Sequence, residues 1–369
     1  MMKFEELKYD KRINSILTDI YNILDKECTH IFLYGSTSIG KLSYKINQEN
    51  IDFYSDIELI VIPKDKKNEN NKEYKKRLMG DMVQYVKSNE SIGRSPFIDI
   101  NPVSADFFKD AQFRISTYEL KHNAICLKGE NLLESIVDVN PKNYNYKIQN
   151  VEVVKGLKVL LIDSYNFFIN RDTTSMMDFE RYNYFLNSSY LNVLRTLLPL
   201  YNCFELTIED RVNALSELGN DKKIVKYFSQ NELDNFGVLA ENKRKCEFVR
   251  NSTEFFVDTV DVYTHLLSFM LECDTSELIE KVYDKKDALF YGEQWKVEML
   301  ADLTVFFLNS LQALKELVVS YNLSNEKIEL IKKSYDKLLY GKNAFEFKRI
   351  IEDYIVMEKD RWKIIGSKD

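Results

Sequence analysis

The sequence predicts an α+β protein in which a small mixed sheet with its helices precedes an all-helical part, the two meeting near residue 140. Three observations carry this expectation. Residues 1 to about 140 alternate short apolar runs with polar helical stretches, whereas beyond about 143 apolar residues recur at helical period with few interruptions. Glycine and proline are scarce, 11 and 5 of 369 residues, which favours long helices over an all-β fold with a turn about every 8 to 12 residues. The length suits two hydrophobic cores, since one core serves roughly 100 to 200 residues. Two domains are therefore expected, 1–140 and 141–369.

Within the first part, Ile13, Ile16, Leu17, Ile20 and Leu24 fall at helical spacing and predict a helix feeding a strand over Thr29–Tyr34. The turn Gly35-Ser36-Thr37-Ser38-Ile39-Gly40-Lys41 follows, and the mostly polar stretch to Ser55 reads as a loop or short helix. A second strand covers Ile57–Ile62 and is closed by Pro63. Residues 64 to 94 hold nine Lys/Arg against five acids, the composition of a solvated loop and an exposed helix face rather than of a patch for an anionic ligand. A third strand is expected over Phe97–Asn101 and a short fourth over Ala124–Leu127. The second part predicts helices near 147–170, 179–202, 207–218, 241–272, 293–321, 325–340 and 344–358, with Ser324 as an N-cap and Gly341 just past a helix end.

The charge balance of 51 basic and 58 acidic residues, net −7, gives no electrostatic reason for nucleic acid as the main partner. Five scattered cysteines, without CxxC or Cys/His spacing, read as reduced packing residues rather than a disulfide frame or a zinc site. The charged N-terminus lacks the apolar stretch of a signal peptide, and no window approaches 18 uninterrupted apolar residues, so a cytoplasmic protein without membrane attachment is expected. The 23 Tyr and 23 Phe, and Trp295 and Trp362, are expected as core or interface aromatics. With three histidines and no GxxxxGK[ST] or GxGxxG pattern, hydrolase triads, P-loops and Rossmann sites have few parts to draw on, and His122 reads as a loop or cap residue.

One constellation carries chemistry: Ile31-Phe32-Leu33-Tyr34-Gly35-Ser36, then Ser55-Asp56-Ile57-Glu58-Leu59-Ile60-Val61, then Phe97-Ile98-Asp99-Ile100. Strand residues at i and i+2 share a face, so Asp56 and Glu58 project together while Ile57 and Leu59 turn to the core. Adjacent carboxylates repel unless a cation lies between them, which makes the pair suited to Mg²⁺ or Mn²⁺. Asp99 would add a third carboxylate if its strand lies alongside, the number that two metal ions need for in-line phosphoryl transfer. Gly35 lets backbone N–H groups approach a phosphate, and Ser36 adds a hydroxyl donor.

At these residues the sequence resembles the nucleotidyltransferase superfamily that includes DNA polymerase β, and Tyr34-Gly35-Ser36 with Ser55-Asp56-Ile57-Glu58 looks most like the kanamycin-type aminoglycoside nucleotidyltransferases. The resemblance covers roughly residues 1 to 135. It implies that Gly35 and Ser36, with Lys41 as a weaker match, hold the triphosphate, that Asp56 and Glu58 bind two Mg²⁺, and that Asp99 completes the site. It also implies a general base from the first helices of the second domain, for which Asp163 is the candidate beside a purely structural role in its helix. The implied reaction moves AMP from ATP onto a hydroxyl of a small acceptor such as a cationic antibiotic, a resistance activity, in an enzyme whose relatives suggest a homodimer. Gly35 and Asp56 lie further apart than in the kanamycin type, which implies an insertion over about Tyr44–Phe53. Three other readings stand beside this one: modification of tRNA or protein by a toxin-like enzyme, synthesis of cyclic oligonucleotides, and non-catalytic nucleotide binding.

Overall fold

The computed structural model describes residues 4–47, 50–64, 71–111, 115–137, 146–169, 176–248, 250–290 and 294–319. The chain divides into two compact units, Met1–Asn140 with Glu241–Glu247, and Pro141–Ala240 with Phe248–Asp369.

In the first unit, Asp10 caps a helix by accepting the Arg12 amide at 2.9 Å, satisfying one of the N–H groups that a first turn leaves unpaired. This helix, α1 (Lys11–Glu27), buries Ile13, Ile16, Leu17, Ile20 and Leu24, the stripe its sequence spacing predicts. Then follow β1 (Cys28–Tyr34), α2 (Gly35–Ser38), β2 (Tyr44–Asn47), β3 (Asn50–Phe53), β4 (Ile57–Pro63), α3 (Asn71–Ser88), β5 (Ile92–Arg94), β6 (Ile98–Pro102), α4 (Asp106–Lys109), α5 (Ile115–Asn123) and β7 (Ile125–Lys128). The main sheet has the order β6-β4-β1-β7 and is mixed: β1 runs antiparallel to β4 and β7, while β4 and β6 are parallel.

The stretch before Ser55, expected as a loop or short helix, is instead the hairpin β2–β3, which joins β5 in a second, three-stranded sheet. Ile51 and Phe53 alternate with Asn50 and Asp52 and drive this pairing, because the two apolar side chains bury on one face. Nor is the basic stretch wholly solvated: Lys64 Nζ donates to the backbone oxygens of Asp25 and Lys26 at the C-terminal end of α1, and Arg77 pairs with Glu27 at 3.1 Å.

The main sheet has two unlike faces. Ile31 and Leu33 of β1, Ile57, Leu59 and Val61 of β4, and Ile98 and Ile100 of β6 pack on α1 and α3 in one core. The alternate residues Phe32 and Ile60 face a smaller cluster with Phe108, Leu120, Leu133 and Ile136, in which the rings of Phe32 and Phe108 lie 4.7 Å apart. This second cluster covers only part of its face. Tyr34, Glu58 and Asp99 share that face by alternation, and Tyr34 packs against the edge of the cluster.

The second unit is helical: α6 (Tyr146–Ile169), α7 (Met176–Asn192), α8 (Leu194–Leu197), α9 (Ile208–Leu218), α10 (Lys222–Tyr227), α11 (Gln230–Lys245, whose residues from Glu241 on group with the first unit), α12 (Ser252–Leu271), α13 (Leu278–Asp284), α14 (Lys286–Leu289) and α15 (Gln294–Val319). Two expectations need correction. The run 179–202 breaks after α7 and ends in a 3₁₀ turn, Leu198–Tyr201, where Pro199 has no N–H to give and Asn202 takes a left-handed conformation, φ 57°. The run 241–272 is two helices: α11 ends on Lys243-Arg244-Lys245, cations suited to a helix C-terminus, and α12 starts afresh where Asn251 accepts the Thr253 amide. Trp295 is exposed rather than a core anchor. The helices expected at 325–340 and 344–358, with Ser324, Gly341 and Trp362, lie outside the described residues. Among the described helices α15 is long and apolar enough to cross a membrane by length and composition, yet it packs on α6, α12 and α13 with Leu300, Ala301 and Leu311 fully buried.

One buried amide of this unit ties α7 to the connection between α11 and α12. Asn183 Nδ2 donates to the backbone oxygens of Phe248 and Arg250, and its Oδ1 accepts from the Ser252 hydroxyl. A cleft of about 470 Å³ holds Tyr227, Glu232, Asp258, Asp261 and His265, with His265 Nδ1 2.7 Å from Glu232 Oε1. That bond raises the His265 pKa above 6.5 against the opposing effect of burial, with Asp261 adding to the rise and Lys315 reducing it. A histidine pKa raised on folding stabilises the fold fully below about pH 6.5, and the contribution fades as pH climbs through the raised value. Denaturant unfolding of the wild type is therefore expected to lose stability on going from pH 6 to 8.5, and His265→Gln to flatten that slope.

Candidate active site

β1 ends at Tyr34, and the chain turns at Gly35 with φ +70°, a conformation that glycine takes without cost. Space demands glycine as well: a Cβ here would run into the Glu58 carboxylate, which lies against the Gly35 backbone. Ser38 Oγ donates to the Gly35 oxygen at 2.9 Å and the Lys41 amide to the Ser36 oxygen at 2.8 Å, so the turn is tied to itself. It is also braced from outside. The buried phenol of Tyr9 donates to the Thr37 oxygen at 2.9 Å and accepts the Leu42 amide at 3.1 Å, while Thr37 Oγ1 reaches the Asp56 oxygen at 3.3 Å. Gly35 and Ser36 are half-buried, and Lys41 is exposed.

The acids are placed by strand register. Tyr34 lies opposite Glu58 on one side of β4, and Asp99 lies opposite Glu58 on the other. Opposed residues of paired strands point to the same face, so Tyr34, Glu58 and Asp99 form one row across three strands. Asp56, two residues before Glu58, stands exposed at the mouth of β4. The Tyr34 pKa is pushed up, first by burial and then by the charges of Glu58 and Asp99, with a smaller push from Asp56 and an opposing hydrogen bond from Asn101. All three carboxylates therefore act electrostatically on one phenol.

Asp99 is engaged on both oxygens. Lys75 of α3 donates to Oδ1 at 2.7 Å, and Asn101 donates to Oδ2 at 2.9 Å. Among the described residues no three His, Cys, Asp or Glu side chains are drawn together tightly enough to hold a metal ion. The donor set is nonetheless all oxygen, the chemistry that Mg²⁺ and Mn²⁺ take, and Gly35 keeps room for the Glu58 carboxylate. Asp56 and Glu58 would offer such an ion carboxylate oxygens, and Asp99 would offer Oδ1 on release from Lys75.

Asp163 belongs to the second unit, on α6, half-buried; burial raises its pKa and Arg181 opposes the rise. Tyr9, Thr37, Lys75 and Asn101 escaped the sequence reading. Asn101 could have been found, because it follows Asp99 by two residues on a strand and must share its face. Tyr9 and Lys75 act across 28 and 24 positions of sequence, and no local pattern marks them.

No protein-family model matches the chain, and a search of curated proteins returned no significant match.

The contact between Gly35 and Glu58 gives a direct test. Gly35→Ala places a side chain at φ +70° and against a carboxylate, and is expected to cost about 1–3 kcal/mol in denaturant unfolding. In the double variant with Glu58→Ala the overlap disappears, so the two costs are expected to sum to more than the measured loss.

Proposed function

We propose that the chain is a metal-dependent nucleotidyltransferase that transfers a nucleoside monophosphate, AMP from ATP in the leading case, to a hydroxyl of a small cationic acceptor of the aminoglycoside type. The supporting observation is the row Tyr34, Glu58, Asp99, with Asp56 at its mouth and the Gly35-Ser36 turn at its end. In this reading the acceptor oxygen bonds to the α-phosphorus, the bond from that phosphorus to pyrophosphate breaks, and the hydroxyl proton passes to a general base. The Gly35 turn admits the phosphates close to the backbone, and Ser36 offers its hydroxyl to their oxygens. Asp56 and Glu58, with Asp99, would hold Mg²⁺. Bound there, Mg²⁺ would supply charge neutralisation at the phosphoryl group and would make the attacking hydroxyl more acidic. The cytoplasm, where ATP and Mg²⁺ are plentiful, is the compartment this reading favours.

Purified protein incubated with each of the four NTPs and Mg²⁺, with and without aminoglycosides, lincosamides or tRNA, provides the test through pyrophosphate release and product mass. Acceptor-dependent pyrophosphate with an aminoglycoside is expected, and Asp56→Ala is expected to lower it at least a hundredfold, the order seen when a group stabilising transition-state charge is removed. Pyrophosphate formed without any acceptor points instead to a nucleotide product, and modified tRNA to a nucleic-acid substrate. Release unaffected by Asp56→Ala would remove the proposed site from consideration.

A further inference from the structure

Lys75 is placed unusually for a residue of its helix. α3 packs on the face of the sheet formed by Ile98 and Ile100, while Asp99 points to the opposite face. β6 is the edge strand, so the Lys75 stem reaches around that edge to bring its ammonium to Asp99 Oδ1 at 2.7 Å. The same ammonium donates to Asn101 Oδ1 at 3.1 Å, and Asn101 Nδ2 donates both to Asp99 Oδ2 and to the Tyr34 hydroxyl at 2.9 Å. Ammonium, carboxylate, amide and phenol thus form one connected network on the edge of the acidic row. A divalent ion shared by Glu58 and Asp99 would need an Asp99 oxygen, and two cations on one carboxylate repel each other at short range.

We propose that Lys75 is a positioning residue that acts as the resident counter-ion of Asp99, neutralising the third carboxylate in the metal-free protein and yielding Oδ1 when a divalent ion takes it. The inference rests on the reading of Asp56, Glu58 and Asp99 as a metal site. Asn101 makes the exchange feasible, since its Oδ1 already accepts from the ammonium and can retain it after Asp99 is surrendered. The flexible lysine stem permits a short withdrawal that an arginine fork would resist.

Titration of the full-length protein with Mn²⁺ alone at fixed ionic strength, read by the electron paramagnetic resonance signal of the free ion, tests this without any turnover. Lys75→Gln is expected to tighten Mn²⁺ binding about threefold to fivefold, the scale of removing one partly exposed competing charge. Lys75→Arg, which keeps the charge, is expected to show no gain. The side chain is 38% exposed, and Lys75→Met preserves its stem should Gln disturb the helix, with circular dichroism as the check on folding. Binding that Asp56→Asn abolishes but that Lys75→Gln and Lys75→Met leave unchanged or weaken overturns the role of Lys75 alone. Absence of Mn²⁺ binding in wild type and Lys75 variants, or binding that ignores Asp56→Asn, overturns the metal reading and the proposal with it.

Discussion

The arrangement of the candidate site depends on the pairing of β4 with a strand on each side. Because Glu58 is in register with Tyr34 of β1 and with Asp99 of β6, one strand aligns three polar side chains contributed by three separate stretches of chain. A slip of one residue on either side would exchange Asp99 with Ile98 or Ile100, or Tyr34 with Leu33, moving acids into the core and aliphatic groups to the surface. Burial of Ile57, Leu59, Ile98 and Ile100 against α1 and α3 forbids that slip. The apolar face of the sheet therefore fixes the position of the polar one.

Around this row the chain concentrates charge and then restrains it. Three carboxylates bear on the Tyr34 phenol, and the amide of Asn101 and the ammonium of Lys75 counter part of their field. The Gly-Ser turn is held with similar redundancy, by its own hydrogen bonds and by the Tyr9 phenol, which binds both the Thr37 oxygen and the Leu42 amide. These bonds hold the turn beside the row of Tyr34, Glu58 and Asp99 without help from any other molecule.

The parts legible in the sequence are those written in local periodicity. Ile13 to Leu24 declare α1 by helical spacing, and β1 and β4 stand out as apolar runs in which Glu58 alternates with the buried Ile57 and Leu59, while Asp56 falls just before β4 rather than within it. What escaped depends on partners distant in the chain. The hairpin β2–β3 is rich in Asn, Lys and Asp, and only Ile51 and Phe53 mark it as strand through burial against the rest of the unit. Lys75 sits in a run of cations where composition indicates solvent; its bond to Asp99 arises because α3 lies beside the edge strand β6. The break between α11 and α12 was hidden by apolar residues on both sides, and Asn251 marks it only once its side chain is seen on the Thr253 amide.

The base of the β2–β3 hairpin is closed by the Ser43 amide on Ser55 Oγ at 2.8 Å and by the Tyr54 and Ser55 amides on the Ser43 oxygen. This clasp lies immediately before Asp56, and beyond it Ile51 and Asp52 of β3 pair with Ile92 and Arg94 of β5. The backbone that carries Asp56 into β4 is thereby pinned from two directions, by Ser43 on Ser55 and by Thr37 Oγ1 on the Asp56 oxygen, so a strain arising in the ribbon stops at Ser55 before it can shift the acid.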